Sequence, residues 1–136
     1  MPSTVEIARF IETDFPQCDS VIEQAGNGSA RVRHHIGENE LRPGGTVSGP
    51  VMMAVADIAL YAAILGDIGI VPLTVTTSLN INFLRKPSAE RDIIGLCKLM
   101  KVGRSLAVGE VSLYSEGDER PVAHAVGTYA IPPERT

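Results

Sequence analysis

Asp57 is the one charged residue in an apolar stretch that runs from Gly49 to Gly66. A carboxylate that is buried without partners costs free energy, so it is uncommon in such surroundings unless it has a role. Carboxylates of this kind are candidates for general acid, general base or nucleophile chemistry. We therefore interpret Asp57 as a catalytic residue. The alternative is a structural carboxylate that bonds to the backbone or to a dimer partner.

The stretch around Asp57 has the composition of a buried helix, which we place at residues 49–66. Pro50 suits the first helical position, because its missing N–H would be unpaired there in any case. Gly49 would then be the cap, and Gly66 favours a stop. A helix that is apolar on every face has to be covered by protein or lipid, and this one is shorter than the roughly 20 residues that span a bilayer. We expect protein to cover it.

The remaining segments must position this helix. The spacing of apolar residues predicts a short amphipathic helix over 3–13, a strand over 30–36 and a loop over 38–48. Alternation of apolar and polar residues then predicts a long strand at 75–83. Breaks at 87–88, a turn at Gly103 and a hairpin signal at 116–119 bound three further strands, at 93–102, 106–115 and 122–131. Strands joined by such short turns should pair as an antiparallel meander that curls round the helix. The predicted fold class is α+β.

The composition limits the size and the class of the protein. A chain of 136 residues with 44% hydrophobic content is long enough for one core and too short for two ordinary domains. We therefore expect a single domain over 1–136, with a lead-in at 1–28, the central helix at 49–66 and the meander at 73–131. A net charge of -4 argues against a partner nucleic acid.

Cysteine usage and the amino terminus bear on the compartment. Cys18 and Cys97 are far apart, with no CxxC spacing and no histidine-rich partner segment, so neither a disulfide framework nor a metal site is expected. The first residues show no basic stretch that leads into an apolar run. We expect a cytoplasmic protein that has no membrane partner.

Five short motifs follow one another between about Arg42 and Ile131. They are Ser48-Gly49-Pro50, Ala56-Asp57, TSLNINFLR at 77–85, VGR at 102–104 and VGTY at 126–129. In this order they resemble the hotdog-fold acyl-CoA thioesterases, and in particular the phenylacetyl-CoA and 4-hydroxybenzoyl-CoA thioesterase type. The resemblance implies a curled antiparallel β-sheet wrapped around a long central helix, and hydrolysis of an acyl-CoA thioester. It also implies a homodimer or a dimer of dimers, with coenzyme A as part of the substrate and no separate cofactor.

The resemblance carries residue roles over by position. Asp57 matches the catalytic carboxylate, which acts as a nucleophile or as a base toward water. Gly49 matches the glycine whose backbone N–H polarises the thioester carbonyl. Ser78 falls where some members have a serine that helps to position the attacking water. Gly103 and Arg104 lie in the stretch that commonly meets coenzyme A.

Further substrate contacts are expected around these residues. Many members have histidine and asparagine where this chain has Ser48 and Arg42, two positions that we assign to the substrate. Asn80 shares a predicted strand face with Ser78, in a polar row that would line a site beside the helix or face solvent. Pocket shape would depend on several large side chains, among which we assign Met53 and Tyr61 to the substrate.

Helix geometry adds a condition. Eight residues at 1.5 Å each separate Gly49 from Asp57 by roughly 12 Å along the helix axis. At that distance the two residues of one chain cannot both contact one substrate carbonyl. If two central helices run side by side in a twofold dimer, the helix start of one chain can face the carboxylate of the other. We therefore expect a site that takes one residue from each subunit.

Other functions remain open at this stage. A hotdog hydratase would need a catalytic histidine near the central helix, and His34, His35 and His124 lie elsewhere in the sequence, where we expect surface or packing roles. The stronger rival is a non-catalytic protein that binds acyl-CoA or another small ligand, because Ser48 and Pro50 replace polar and glycine residues of the family. Arg104 and Lys101, together with Arg85 or Lys86, would form a phosphate clamp; the alternative is that turns commonly collect charged residues.

Overall fold

The computed structural model describes residues 1–133. It has two helices, α1 (Thr4–Asp14) and α2 (Gly49–Ile68). The six strands of the main sheet are β1 (Val21–Gly26), β2 (Ser29–His34), β5 (Val75–Phe83), β6 (Ile93–Val102), β7 (Leu106–Ser115) and β8 (Ala123–Ala130). Two short strands, β3 (Leu41–Arg42) and β4 (Thr46–Val47), form a separate hairpin after a 3-10 turn at Glu38–Glu40.

The sheet is antiparallel throughout, in the order β1-β2-β6-β7-β8-β5, and α2 packs against all six of its strands. This arrangement confirms the α+β class and the hotdog architecture, in which the sheet wraps around a long central helix. The core consists of apolar side chains of α2 and of the sheet face toward it.

The predicted meander is wrong for its first strand. Strands β6, β7 and β8 pair in sequence, but β5 pairs with β8 at the far edge and not with β6. The reason lies in the connection after β5, where the N–H groups of Leu84 and Arg85 donate to the carbonyl of Val122. The chain then passes the end of β7, where the N–H of Ser88 donates to Ser115 Oγ, before it enters β6.

Strand β1 was not predicted. Asn27 and Gly28 have φ values of 55° and 75°, and they form the two-residue loop of a β1–β2 hairpin. The register shifts between Ile22 and Gln24, so the alternation of apolar and polar residues is interrupted in β1. That interruption removes the signal from which a strand is recognised in sequence.

Two glycines let α2 approach the sheet closely. Gly109 of β7 and Gly127 of β8 are cross-strand partners, and Leu60 of α2 lies over both. A Cβ at Gly109 would lie 2.9 Å from Leu60 Cδ2, and one at Gly127 would overlap Leu60 Cδ1. The side chains of α2 therefore rest directly on the backbone of these strands, which fixes the height of the helix above the sheet.

Helix α2 differs from the prediction at both ends. Ser48 is the cap in place of Gly49, because its hydroxyl accepts from the N–H of Val51, which a glycine side chain cannot do. The helix continues to Ile68, and its 20 residues are long and apolar enough to cross a membrane. Length therefore does not show whether protein or lipid covers the helix. The sheet packs against it, and 67% of its most apolar window is buried.

Candidate active site

The carboxylate of Asp57 is held by two hydroxyl groups from two strands. Its Oδ1 accepts from the phenol of Tyr129 at 2.6 Å and from Thr76 Oγ1 at 2.7 Å. The same phenol lies 2.9 Å from the backbone carbonyl of Asp57. Within residues 1–133, the other carboxylate oxygen, Oδ2, accepts no side-chain hydrogen bond. One oxygen is thus fixed in place and the second is available for chemistry.

Tyr129 remains a hydrogen-bond donor over a wide pH range. Burial of its ring, the negative charge of Asp57 and the hydrogen bond to that carboxylate together raise the pKa of Tyr129 well above its ordinary value. The phenol therefore stays protonated under conditions in which an ordinary tyrosine would begin to ionise.

Thr76 takes the place that was predicted for Ser78. Thr76 pairs with Tyr129 while Ser78 pairs with Thr128, because the register of β5 shifts between Thr76 and Ser78. Cross-strand partners share a face and neighbours along a strand alternate, so Thr76 faces α2 with Tyr129 and Ser78 faces the other way. The structure does not bring Ser78 to Asp57, and it turns Asn80, two residues further on, away from the helix as well.

A cleft of about 1000 Å³ opens beside Asp57. Part of its wall is aromatic: the rings of Tyr129 and Tyr61 stack at 6.1 Å, and those of Phe10 and Phe15 lie 6.5 and 6.4 Å from Tyr61. The phenol of Tyr61 donates to the carbonyl of Pro72 at 3.0 Å, which ties α2 to the segment before β5. Tyr61 therefore lies in the wall of the cleft, and its part in an acyl pocket stays a prediction.

Gly49 presents a free amide at the start of α2. Pro50 has no N–H, and the N–H groups of Val51 and Met52 donate to Ser48. Within the described part of the chain, the N–H of Gly49 has no backbone or side-chain acceptor. It therefore meets the chemical requirement for a donor to a developing oxyanion.

Gly49 and Asp57 open onto different surfaces of the same chain. Gly49 lines a second cleft, of about 460 Å³, together with Arg42, Phe83 and Lys86. Asp57 lines the larger one. A single subunit therefore does not bring the amide and the carboxylate to one substrate carbonyl.

The remaining predicted contacts are spread over the surface. Met53 is exposed on α2, and Ser48 serves as the helix cap. Gly103 and Arg104 form the turn between β6 and β7, where the N–H of Gly103 donates to the carbonyl of Leu106. Arg104 is exposed and makes no ion pair with any residue among 1–133, so its guanidinium is available for an anionic ligand.

Neither Thr76 nor Tyr129 was predicted as a site residue. Tyr129 was visible as the last residue of a motif that supported the resemblance. Thr76 had no such signal, because the shifted register that turns it toward α2 is not evident in the alternation of β5. Of the histidines, His35 pairs with Asp92 and His124 with Glu110, and neither lines the large cleft, whereas His34 does.

Comparisons with known proteins agree with this fold. The family model described as the thioesterase superfamily matches residues 44–122. A Saccharolobus solfataricus protein provisionally named an esterase is 30% identical over 126 residues, which cover 93% of this chain and 77% of that protein.

Two crystal structures illustrate the range of similarity. A Silicibacter sp. TM1040 protein provisionally named a thioesterase has 44% identity and a TM-score of 0.89, over 96% of this chain and 92% of that one. The PaaI protein of the phenylacetic acid degradation operon of E. coli has 17% identity and a TM-score of 0.77, over 93% and 94% of the two chains. At that identity the second likeness concerns the fold alone.

Proposed function

Because the chain belongs to the thioesterase superfamily, with a family match over residues 44–122, we propose that it hydrolyses an acyl-CoA thioester to the free acid and coenzyme A. The observation that carries the proposal is the arrangement at Asp57, where Oδ1 is anchored by Tyr129 and Thr76 in the wall of a cleft. An anchored carboxylate with one open oxygen is suited to act on a water molecule or on a substrate carbon.

In the proposed reaction, water adds to the thioester carbonyl and the C–S bond then breaks to release the thiol. Oδ2 of Asp57 takes a proton from the water as the bond to carbon forms, and the leaving sulfur regains a proton. Tyr129 and Thr76 act as positioning residues, since both contact Oδ1. Direct attack by Oδ2 is the alternative route; it would form a mixed anhydride, which hydroxylamine would trap.

The second half of the site comes, in this proposal, from Gly49 of the partner subunit. Strand β5 is an edge strand, and Val75 and Phe83 on it are 52% and 50% exposed. A free, partly apolar edge readily pairs with another strand. Thr76, beside Asp57, and Phe83, against Gly49, lie near opposite ends of β5. Antiparallel pairing of two β5 strands would therefore bring the Gly49 end of one chain to the Asp57 end of the other.

Basic side chains at both ends of β5 support a coenzyme A thioester as the substrate. Arg42, Arg85 and Lys86 line the cleft that contains Gly49. Arg104 lies near the other end, since Ser105 accepts from the N–H of Ile131 and β8 leads into that residue beside Val75. In a twofold pair, the two groups would flank one site, where guanidinium and ammonium groups can bind phosphates.

The direct test is thiol release from a panel of acyl-CoA substrates, followed with a thiol reagent. The proposal predicts turnover with at least part of the panel and none without protein. Saturable binding of acyl-CoA without thiol release would instead identify a non-catalytic ligand-binding protein, the rival that Ser48 and Pro50 suggested.

A further inference from the structure

A second set of polar side chains lines the cleft that contains Asp57. His34, which is buried at the end of β2, lies with its Nδ1 2.9 Å from Ser20 Oγ and its Nε2 3.4 Å from Glu40 Oε2. The other carboxylate oxygen of Glu40 accepts from the N–H of Gly37 at 2.8 Å. Ser20, His34 and Glu40, which we call the distal polar cluster, all line the cleft.

The proton arrangement of this cluster follows from its partners. The hydrogen bond from Gly37, followed by that from His34, lowers the pKa of Glu40, so its carboxylate is ionised at neutral pH and only accepts. Nε2 of a neutral His34 must then carry the proton, and Nδ1 must accept from the hydroxyl of Ser20. In that neutral form the single proton of the hydroxyl is used, so Ser20 Oγ accepts from a ligand, while the Glu40 carboxylate accepts in either form of the ring. The cluster therefore presents acceptors to the cleft.

The charges of the cleft also favour a ligand that donates hydrogen bonds. Its described lining contains four carboxylates and neither lysine nor arginine; the four are Asp14, Asp19, Glu40 and Asp57. A ligand carboxylate would be repelled there, whereas a neutral hydrogen-bond donor would not.

The distal polar cluster and Asp57 are far apart in the sheet. His34 is on β2, Thr76 beside Asp57 is on β5, and three strands lie between them. Four strand spacings amount to about 19 Å along the sheet, and less directly across the cleft because the sheet curls. The floor between them is apolar and consists of Val51, Ala54 and Ile58 of α2. This geometry fits an extended apolar chain with one polar end.

We propose that the distal polar cluster binds a hydroxyl group at the far end of the acyl chain whose thioester lies at Asp57. This inference rests on the proposed acyl-CoA hydrolysis and adds the substrate class, an acyl group with a remote hydroxyl. Ser20 and Glu40 accept from that hydroxyl, and Val51, Ala54 and Ile58 contact the chain.

The test uses straight-chain acyl-CoAs of graded length, each in a plain, an ω-hydroxy and an ω-carboxy form. At the length that bridges the cleft, kcat/KM for the ω-hydroxy form should exceed that for the plain form by about tenfold or more. The ω-carboxy form should be the poorest at every length. Thiol release without any preference for the ω-hydroxy form would overturn this inference and leave the proposed function standing. No thiol release from any compound would overturn both.

Variants test which residues produce the preference for the ω-hydroxy substrate. Ser20→Ala and Glu40→Gln should each bring the ratio of the ω-hydroxy to the plain kcat/KM close to one. Glu38→Gln is the matched control, because Glu38 is exposed on the same 3-10 turn and does not line the cleft, and it should keep the wild-type ratio. A ratio taken within one variant is insensitive to the fraction of folded protein. A wild-type ratio in both Ser20→Ala and Glu40→Gln would show that the cluster does not bind the hydroxyl.

Discussion

The phenol oxygen of Tyr129 lies 2.6 Å from Oδ1 of Asp57, although the two residues are 72 positions apart in the chain. This contact joins the middle of α2 to the far end of β8, and Thr76 of β5 completes it at 2.7 Å. The catalytic proposal depends on it, because a carboxylate on a long helix otherwise has rotational freedom about its side-chain bonds. Two donors on one oxygen remove that freedom.

Replacement of Asp57 by asparagine keeps the size of the side chain and removes the base. We expect Asp57→Asn to lower kcat by about 100-fold or more, the range for a lost general base or nucleophile. Asp67→Asn is the control, since Asp67 is exposed on the same helix. A steady-state thiol-release assay measures both, and wild-type turnover by Asp57→Asn would end the assignment.

Tyr129→Phe tests the positioning of the carboxylate. It removes the donor to Oδ1 and keeps the ring, so we expect kcat to fall by about tenfold while KM changes little. Tyr114→Phe is a suitable comparison, because Tyr114 is half-buried on the opposite face of β7 and makes no side-chain hydrogen bond with the residues described. Equal kcat values for the two variants would remove Tyr129 from the catalytic arrangement.

Thr76→Val and Ser78→Ala distinguish the two faces of β5. The first removes the donor at 2.7 Å from Asp57 and should lower kcat several-fold, whereas the second should leave kcat within twofold of wild type. Circular dichroism would confirm that both variants fold. The opposite order of effects would mean that Ser78, not Thr76, serves the reaction.

This pair also shows what could be predicted from the sequence. The apolar run around Asp57 and the turn residues that flank β6 and β7 are strong local patterns, so the bounds of those strands and the start of α2 were close to the observed ones. A register shift of one residue in β5 is a local event with little trace in composition, yet it exchanges Thr76 for Ser78 at the site.

Strand pairing was harder to predict for a different reason. Consecutive strands usually pair, but β5 pairs with β8 along its whole length, and the N–H groups of Leu84 and Arg85 extend that contact to Val122. Backbone hydrogen bonds of this kind do not depend on side-chain type. The free N–H of Gly49 is also a backbone feature that does not depend on side-chain type. In that case, Pro50 and the family resemblance indicated the start of the helix.

Arg104→Ala tests the coenzyme A contact. We expect KM for an acyl-CoA to rise several-fold more than KM for the same acyl group on a short thiol without the nucleotide, because only the first carries phosphates. Arg9→Ala provides the control, as Arg9 is an exposed arginine on α1 that makes no ion pair within residues 1–133. Equal changes with both substrates would remove Arg104 from the coenzyme A site.

The composite site makes the strongest prediction, because Gly49 and Asp57 line separate clefts of one chain. Asp57→Asn and Gly49→Val homodimers should both be nearly inactive, since the valine side chain would block close approach of the acyl carbonyl to the amide. In a mixed dimer, one site combines the intact Gly49 of the first variant with the intact Asp57 of the second. The other site collects both defects.

The decisive measurement is therefore the thiol-release activity of the two variants after they are unfolded, mixed and refolded together, with mixed dimers counted by native mass spectrometry. Random reassociation makes about half of the dimers mixed, so activity should recover to about one quarter of wild type per site. Each variant refolded alone is the control and should stay inactive. Mixed dimers that form but show no recovery would contradict a site shared between Asp57 of one subunit and Gly49 of the other.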